Sequence, residues 1–240
     1  MKITANDIRA LREATGAGIM ECREALTACN NNFEESAAFL KAAAQEAANK
    51  RADRETAEGK IFTALDSNKL VAVTLSCETD FVVRNKLFNE TGTQCAQDAL
   101  KSESLDEKTE QLLSSHIVDA IARIKEHIRL KQVSYLQAGS DELIASYSHN
   151  NGQIFSAFSY TLTNSSSANR EIIHNLLSDL TLQIAANAPQ YVKRESIAES
   201  YIQEKMEEFK QEFEDSGKPP HLAEKILTGK LVKHLQGLCL

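Results

Sequence analysis

KIFTALDSNKLVAVTLSC, residues 60–77, is where the period of this 240-residue sequence changes. Before it, apolar residues recur every three or four positions. Here two β-branched runs, Lys60–Asp66 and Lys69–Cys77, flank Ser67-Asn68, and the pattern predicts a hairpin. A second hairpin is predicted where Leu143–His149 and Gln153–Leu162 flank Asn150-Asn151-Gly152, because Asn-Gly accepts the left-handed backbone of a tight turn. After the first hairpin come helical patterns over about 85–100 and 107–127, a strand-like run at Arg129–Leu136, and a break at Ala138-Gly139-Ser140. After the second comes a helix over about 168–187, which Pro189 ends. Hairpin-then-helices thus occurs twice. This order predicts an α+β fold with two related subdomains built on antiparallel sheets.

Upstream, residues 1–50 read as three short helices. Thr4 is spaced to cap the first, with Asp7 three residues on. Ile8 and Leu11 share a face, with Ala14 near it. Thr15-Gly16-Ala17-Gly18 breaks the pattern. Ile19, Cys22, Leu26 and Cys29 form the apolar side of a second helix, and Asn30-Asn31-Asn32 is a turn. Asn32 with Glu35 opens a third helix, predicted to bury Ala37, Leu40 and Ala44. From about 45 to 58 no large apolar residue occurs, and the stretch reads as a solvated helix or linker. At the other end, Ser196–Asp215 is a charged amphipathic helix, and Ser216-Gly217-Lys218-Pro219-Pro220 is a stop. A last helix, over about 221–237, alternates Leu222, Ile226, Leu227 and Leu231 with Lys225, Lys230 and Lys233. The division expected is 1–50, 51–139, 140–215 and 216–240.

Composition excludes several classes. Hydrophobic residues are 42% and charged residues 25%, ordinary for a globular chain. The net charge of -7 argues against a protein that wraps nucleic acid, which needs a concentrated basic face. Five cysteines, at 22, 29, 77, 95 and 239, form an odd set with no CxxC pair, which argues against a disulfide framework or zinc ribbon and for a reducing compartment. The N-terminus has no signal-like apolar core. The longest apolar run, Leu70–Leu75, is far short of the roughly 20 residues that span a bilayer. The expectation is a soluble cytoplasmic protein with no membrane partner.

Motifs for chemistry are weak. Gly16-Ala17-Gly18 begins like a dinucleotide fingerprint but lacks the third glycine and the preceding strand. Gly217-Lys218 lacks the first glycine and the Ser or Thr of a phosphate loop, since Glu212 and Pro219 stand there. The six histidines show no metalloprotease spacing, no serine sits in a nucleophile elbow, and His116 and His127 are expected on the surface of one helix. Cys22 and Cys29 read as core. The segment Leu75–Arg84 leaves two readings open. Thr79 or Asp80 caps a helix that begins near Phe81 or Asn85. Alternatively, Asp80 and Phe81 sit on an exposed turn that suits a partner's pocket.

TGAGIMECREAL (Thr15–Leu26) and CETDFVVRNKLF (Cys77–Phe88) resemble the two signature regions of the bacterial elongation factor Ts family. KRADRETAEG (Lys50–Gly59) is similar to the segment between them. SGKPP with AEKILTGKLVKHL (Ser216–Leu235) is similar to the family's C-terminal region. The resemblance implies an N-terminal domain like ubiquitin-associated domains and a core of two α+β subdomains. It implies a guanine nucleotide exchange factor rather than an enzyme, without a cofactor of its own. The implied partner is the GTPase elongation factor Tu, GDP-bound and nucleotide-free. By the same resemblance, Thr79, Asp80, Phe81 and Val82 push in beside the GTPase's magnesium and phosphate site, while Gly18, Ile19 and Met20 dock on one of its helices. Lys225, Lys230 and Lys233 are a further candidate contact. Members usually continue past the position of Leu240 with a segment ending in a strand of the second subdomain. The alternative function is an adaptor that binds proteins without exchange activity.

Overall fold

The computed structural model describes residues 3–162, 170–215 and 223–240. The chain divides into two units. One holds Met1–Ile144 with Ser148–Thr163, the other Ala145–Tyr147 with Asn164–Leu240.

The first unit opens with the three expected helices, α1 (Ala5–Thr15), α2 (Ile19–Ala28) and α3 (Phe33–Asn49). Thr4 and Asp7 close the capping box: the Thr4 hydroxyl accepts the Asp7 N–H at 3.3 Å, and the Asp7 carboxylate accepts the Thr4 N–H at 2.8 Å. Helix α1 ends because Gly16 takes φ of 71°, a left-handed conformation that costs a residue with Cβ roughly 1–2 kcal/mol. Asn32 caps α3 by accepting the Glu35 N–H at 3.2 Å. Leu11, Cys22, Ala25 and Leu26 form a small core, with Ile8, Ala37 and Leu40 against it. Three residues depart from expectation. Ala14 is exposed, Cys29 lies past the end of α2 as its cap, and Ile19 faces solvent one turn ahead of Cys22.

Next come strands β1 (Glu58–Asp66) and β2 (Lys69–Cys77), helices α4 (Asp80–Arg84), α5 (Lys86–Leu100) and α6 (Glu107–Ile124), and strand β3 (Ile128–Gln137). The first two strands form the predicted hairpin, paired from Glu58↔Cys77 to Asp66↔Lys69, and β3 runs antiparallel on the other side of β2. One face of this three-stranded sheet, including Phe62, Val71, Val73 and Leu75, packs on α5 and α6 through Phe88, Cys95, Leu113 and Ile121. A bulge keeps β3 in phase with that core. Thr74 pairs with Gln132 and Leu75 with Leu130, so Lys131 is an extra residue. The inward set therefore changes from Ile128 and Leu130 to Val133 and Tyr135. Gly92 permits the closest packing, because a Cβ there would stand 2.2 Å from the Phe62 ring. Helix α5 is tied to α6 by Asp98, whose buried carboxylate takes hydrogen bonds from Gln94 and Lys101 and pairs with His116 at 3.0 Å.

Two expectations need correction here. Residues 45–58 are not a linker throughout: α3 continues to Asn49, and Ala48 is buried in the central core. Small side chains bring α3 close to α6, so the absence of large apolar residues does not mean solvent. Helix α6 ends at Ile124, short of 127, with Lys125 at φ of 67°. His127 is therefore off the helix, and it is 7% exposed rather than on the surface.

Strands β4 (Glu142–His149) and β5 (Ile154–Thr161) make a two-stranded sheet joined through Asn150-Asn151-Gly152, all three with positive φ. In the first unit this turn lies on β1, where Lys60 Nζ donates to Asn151 Oδ1 at 3.1 Å.

In the second unit, α7 (Arg170–Asn187) precedes α8 (Glu199–Asp215) and α9 (Ala223–Leu238). Ile197, Phe209, Leu227, Leu231 and Leu235 are its core between α8 and α9. The Tyr201 ring stacks on His234, with the hydroxyl 3.0 Å from Nε2. The last residues pair with the segment after α7: the Gln190 and Tyr191 N–H groups donate to the Leu238 carbonyl, and Leu240 N–H donates to that of Tyr191. Ser216-Gly217-Lys218-Pro219-Pro220 and Leu222 lie outside the described residues. So does the expected start of α7.

Candidate functional site

Strand β2 ends at Cys77, and the chain turns into α4 within three residues. Thr79 stands at the N-cap position of α4, but its side chain makes no capping bond. The hydroxyl donates instead to Glu126 Oε2 at 3.0 Å. The neighbouring Glu78 carboxylate accepts the His127 N–H at 2.5 Å and Arg54 Nη1 at 3.3 Å. The backbone bond from His127, with Arg54 beside it, holds the Glu78 carboxyl below its ordinary range. Cys77 is buried, which pushes its thiol up to about 11, so at neutral pH it is packing material rather than a nucleophile.

On this footing the four residues Thr79–Val82 divide sharply. Val82 is 3% exposed and belongs to the central core. Phe81, beside it, is 77% exposed, more than any other large apolar side chain among the described residues. A five-residue helix accounts for the contrast, since neighbouring positions point about 100° apart around the axis. Asp80 is exposed and accepts from Arg84 Nη2 at 3.0 Å, one turn on. An exposed pair at this spacing is worth only about 0.3–0.5 kcal/mol, so a stronger partner displaces it readily. Asn85 then caps α5 by accepting the Leu87 N–H at 2.8 Å. Both sequence readings of this segment thus hold in part: it starts a helix, and it exposes Asp80 and Phe81.

Gly18–Met20 opens α2. The Gly18 N–H donates to Glu21 Oε2 at 2.8 Å, and Glu21 Oε1 takes Lys125 Nζ at 2.7 Å. These bonds, that of Lys125 first, hold the Glu21 carboxyl below its ordinary range. Ile19 and Met20 are 55% and 61% exposed. Three large apolar side chains thus face water from the first turns of two helices.

Four residues of this geometry escape the sequence reading. Arg84 is legible as a partner four residues from Asp80, and Glu21 as the third residue after a capping Gly18. Lys125 and Glu126 carry no local signal, because their partners are 104 and 47 residues away. Lys225 and Lys233 are exposed on α9, whereas Lys230 bonds Glu212 and lies 4.3 Å over the Phe209 ring. Among the described residues no three His, Cys, Asp or Glu side chains are grouped to hold a metal ion. Nor is any helix among them long and apolar enough to cross a membrane.

The sequence profile of the family described as Elongation factor TS matches residues 78–240, which takes in α4 and everything after it. The chain belongs to the elongation factor Ts family. It is 34% identical over 239 residues to the elongation factor Ts of Treponema denticola, covering all of this chain and 85% of that one. Against the elongation factor Ts of Borrelia recurrentis identity is 32% over 243 residues, covering 100% of this chain and 86% of that one. Against that of Aquifex aeolicus it is 30% over 253 residues, covering 98% and 85%. Membership in the elongation factor Ts family makes the chain a translation elongation factor.

Proposed function

We propose that this chain performs nucleotide exchange on the GTPase elongation factor Tu by inserting Asp80 and Phe81 beside the magnesium and phosphate site, while Gly18, Ile19 and Met20 dock on a helix of the GTPase. The observation that carries the reading is a contrast between neighbours: Phe81 is 77% exposed and Val82 is 3% exposed. A protruding aromatic side chain whose neighbour is locked in the core is a wedge on a fixed base.

Exchange of this kind makes and breaks no covalent bond. The factor must bind the nucleotide-free GTPase more tightly than the GDP-bound form, and by linkage GDP weakens its binding by the same factor. Each tenfold change in GDP affinity needs about 1.4 kcal/mol of differential interaction. Burying one Phe side chain supplies about 1.5–3 kcal/mol. If that burial occurs only where the elements holding magnesium have moved apart, it is spent on the nucleotide-free form. Asp80 then leaves Arg84 and competes for donors that faced the phosphates. With magnesium lost, the phosphates are poorly neutralised and GDP departs. The test is release of a fluorescent GDP analogue from elongation factor Tu, alone and with this protein. Acceleration that Phe81→Ala removes is the expected result. Acceleration that survives Phe81→Ala sinks the wedge, and complex formation without acceleration favours the adaptor reading.

A further inference from the structure

The turn between α6 and β3 spends two consecutive residues on the two candidate segments. Lys125 Nζ reaches Glu21, which holds the Gly18 N–H; Glu126 reaches the Thr79 hydroxyl; and the next N–H, of His127, reaches Glu78. Local rules are broken at both ends of these ties. Lys125 sits at φ of 67° at a helix C-cap, where Gly or Asn is usual and a long side chain is strained. Thr79 stands at an N-cap yet gives its hydroxyl away instead of capping. Each exception makes sense if the side chain is kept for its distant partner.

We infer that Lys125 and Glu126 are positioning residues, which fix the Gly18–Met20 tip and the Phe81 turn to one short piece of backbone so that both meet the partner as a preset surface. The inference rests on the exchange reading above. Neither residue needs to touch the GTPase. A surface set in advance loses less conformational freedom on binding than two segments ordered separately. The two ties have different consequences. The Lys125 tie orients the docking tip and therefore sets affinity. The Glu126 tie orients the wedge and therefore sets the release rate once the complex has formed.

GDP release measured against protein concentration separates the two, with thermal melting of each variant beside it. Lys125→Gly relieves the left-handed backbone, so it should melt at the wild-type temperature or above. It should nonetheless raise the half-saturating concentration, by at most about fivefold because the Lys125–Glu21 pair is exposed, with the maximal rate close to wild type. Glu126→Ala should lower the maximal rate roughly tenfold, since small misplacements of a functional group are expensive. Glu126→Gln, whose amide oxygen still accepts the Thr79 hydroxyl, should recover most of that loss. If Lys125→Gly and Glu126→Ala both match wild type while Phe81→Ala is impaired, the positioning role is overturned and the exchange reading stands. Losses that follow a lowered melting temperature, without recovery in Glu126→Gln, overturn it in favour of plain structural support. Wild-type protein that releases no GDP overturns the exchange reading, and this inference with it.

Discussion

Gly18–Met20 and Thr79–Val82 both expose apolar side chains from the first turn of a helix, yet they are supported very differently. Behind Phe81 stands Val82, in a core whose buried members range from Ala48 to Ile128 across a sheet and several helices. Behind Ile19 and Met20 stands α2, in a cluster whose buried members are Leu11, Cys22, Ala25 and Leu26. A small core holds its surface less firmly, because it buries a smaller share of its chain. The difference supports the division of labour proposed for the two segments. The firmly backed segment suits a wedge that must push against packed structure. The lightly backed one suits a dock that adds contact area.

The largest effect expected is on the backing itself. Phe88 is fully buried edge-on to Phe62, at 5.6 Å between ring centres, and Phe88→Ala should cost about 3–5 kcal/mol. Leu26→Ala should cost nearer 2–3 kcal/mol, since a small cluster near the surface collapses more easily into the space left. Urea denaturation of the two variants measures the difference. A Leu26→Ala loss as large as that of Phe88→Ala would mean that the small cluster is packed as firmly as the central core, and the contrast would fail.

Next in size is the wedge. Phe81→Ala removes an exposed side chain, so the free protein should be as stable as wild type. GDP release should slow by between about 10-fold and about 140-fold if about 1.5–3 kcal/mol of burial is realised only in the nucleotide-free complex. A variant that melts early would show that Phe81 is packing and not a wedge.

Acid probes the firm core through Asp98. Burial raises its pKa, but hydrogen bonds from Gln94, Lys101 and His116 outweigh burial and bring it down from 3.8 to about 2. A carboxyl depressed in the folded state adds stability that is complete above its unfolded pKa and is lost as pH falls through the folded one. The window is therefore about pH 4 down to about 2, and the contribution at stake is about 2 kcal/mol at most. Wild-type protein should lose that much more urea resistance across the window than Asp98→Asn. Equal slopes for the two would remove Asp98 from the support of the α5–α6 pair.

Much of this architecture is legible in the sequence alone. The hairpin at 60–77, the capping pair Thr4–Asp7 and the helices α5 and α8 follow from period and local chemistry, which act over a few residues. The failures share one physical cause. Ala48 belongs to a stretch poor in large apolar residues, yet small residues bury by close approach, and only the partner helix reveals it. His127 reads as helical because nothing local marks Lys125 as the end of α6; a lysine is an unusual left-handed cap. The site divides in the same way. Phe81 beside Val82 is visible as a candidate, but the ties from Lys125 and Glu126 exist only once the chain has folded.

The smallest effect, and the one that sharpens the contrast most, belongs to Met20. Its side chain is already partly covered, so docking has less surface left to bury than at Phe81. Met20→Ala should weaken complex formation by about 1 kcal/mol, close to fivefold in Kd. The maximal rate of GDP release should not change, because a contact made equally with both forms of the GTPase cannot shift the equilibrium between them. Titration calorimetry beside the release assay reads both quantities. A Met20→Ala variant that binds as wild type but releases GDP slowly would reverse the two roles: the tip would be acting on the nucleotide site and the firm core would be supporting the dock.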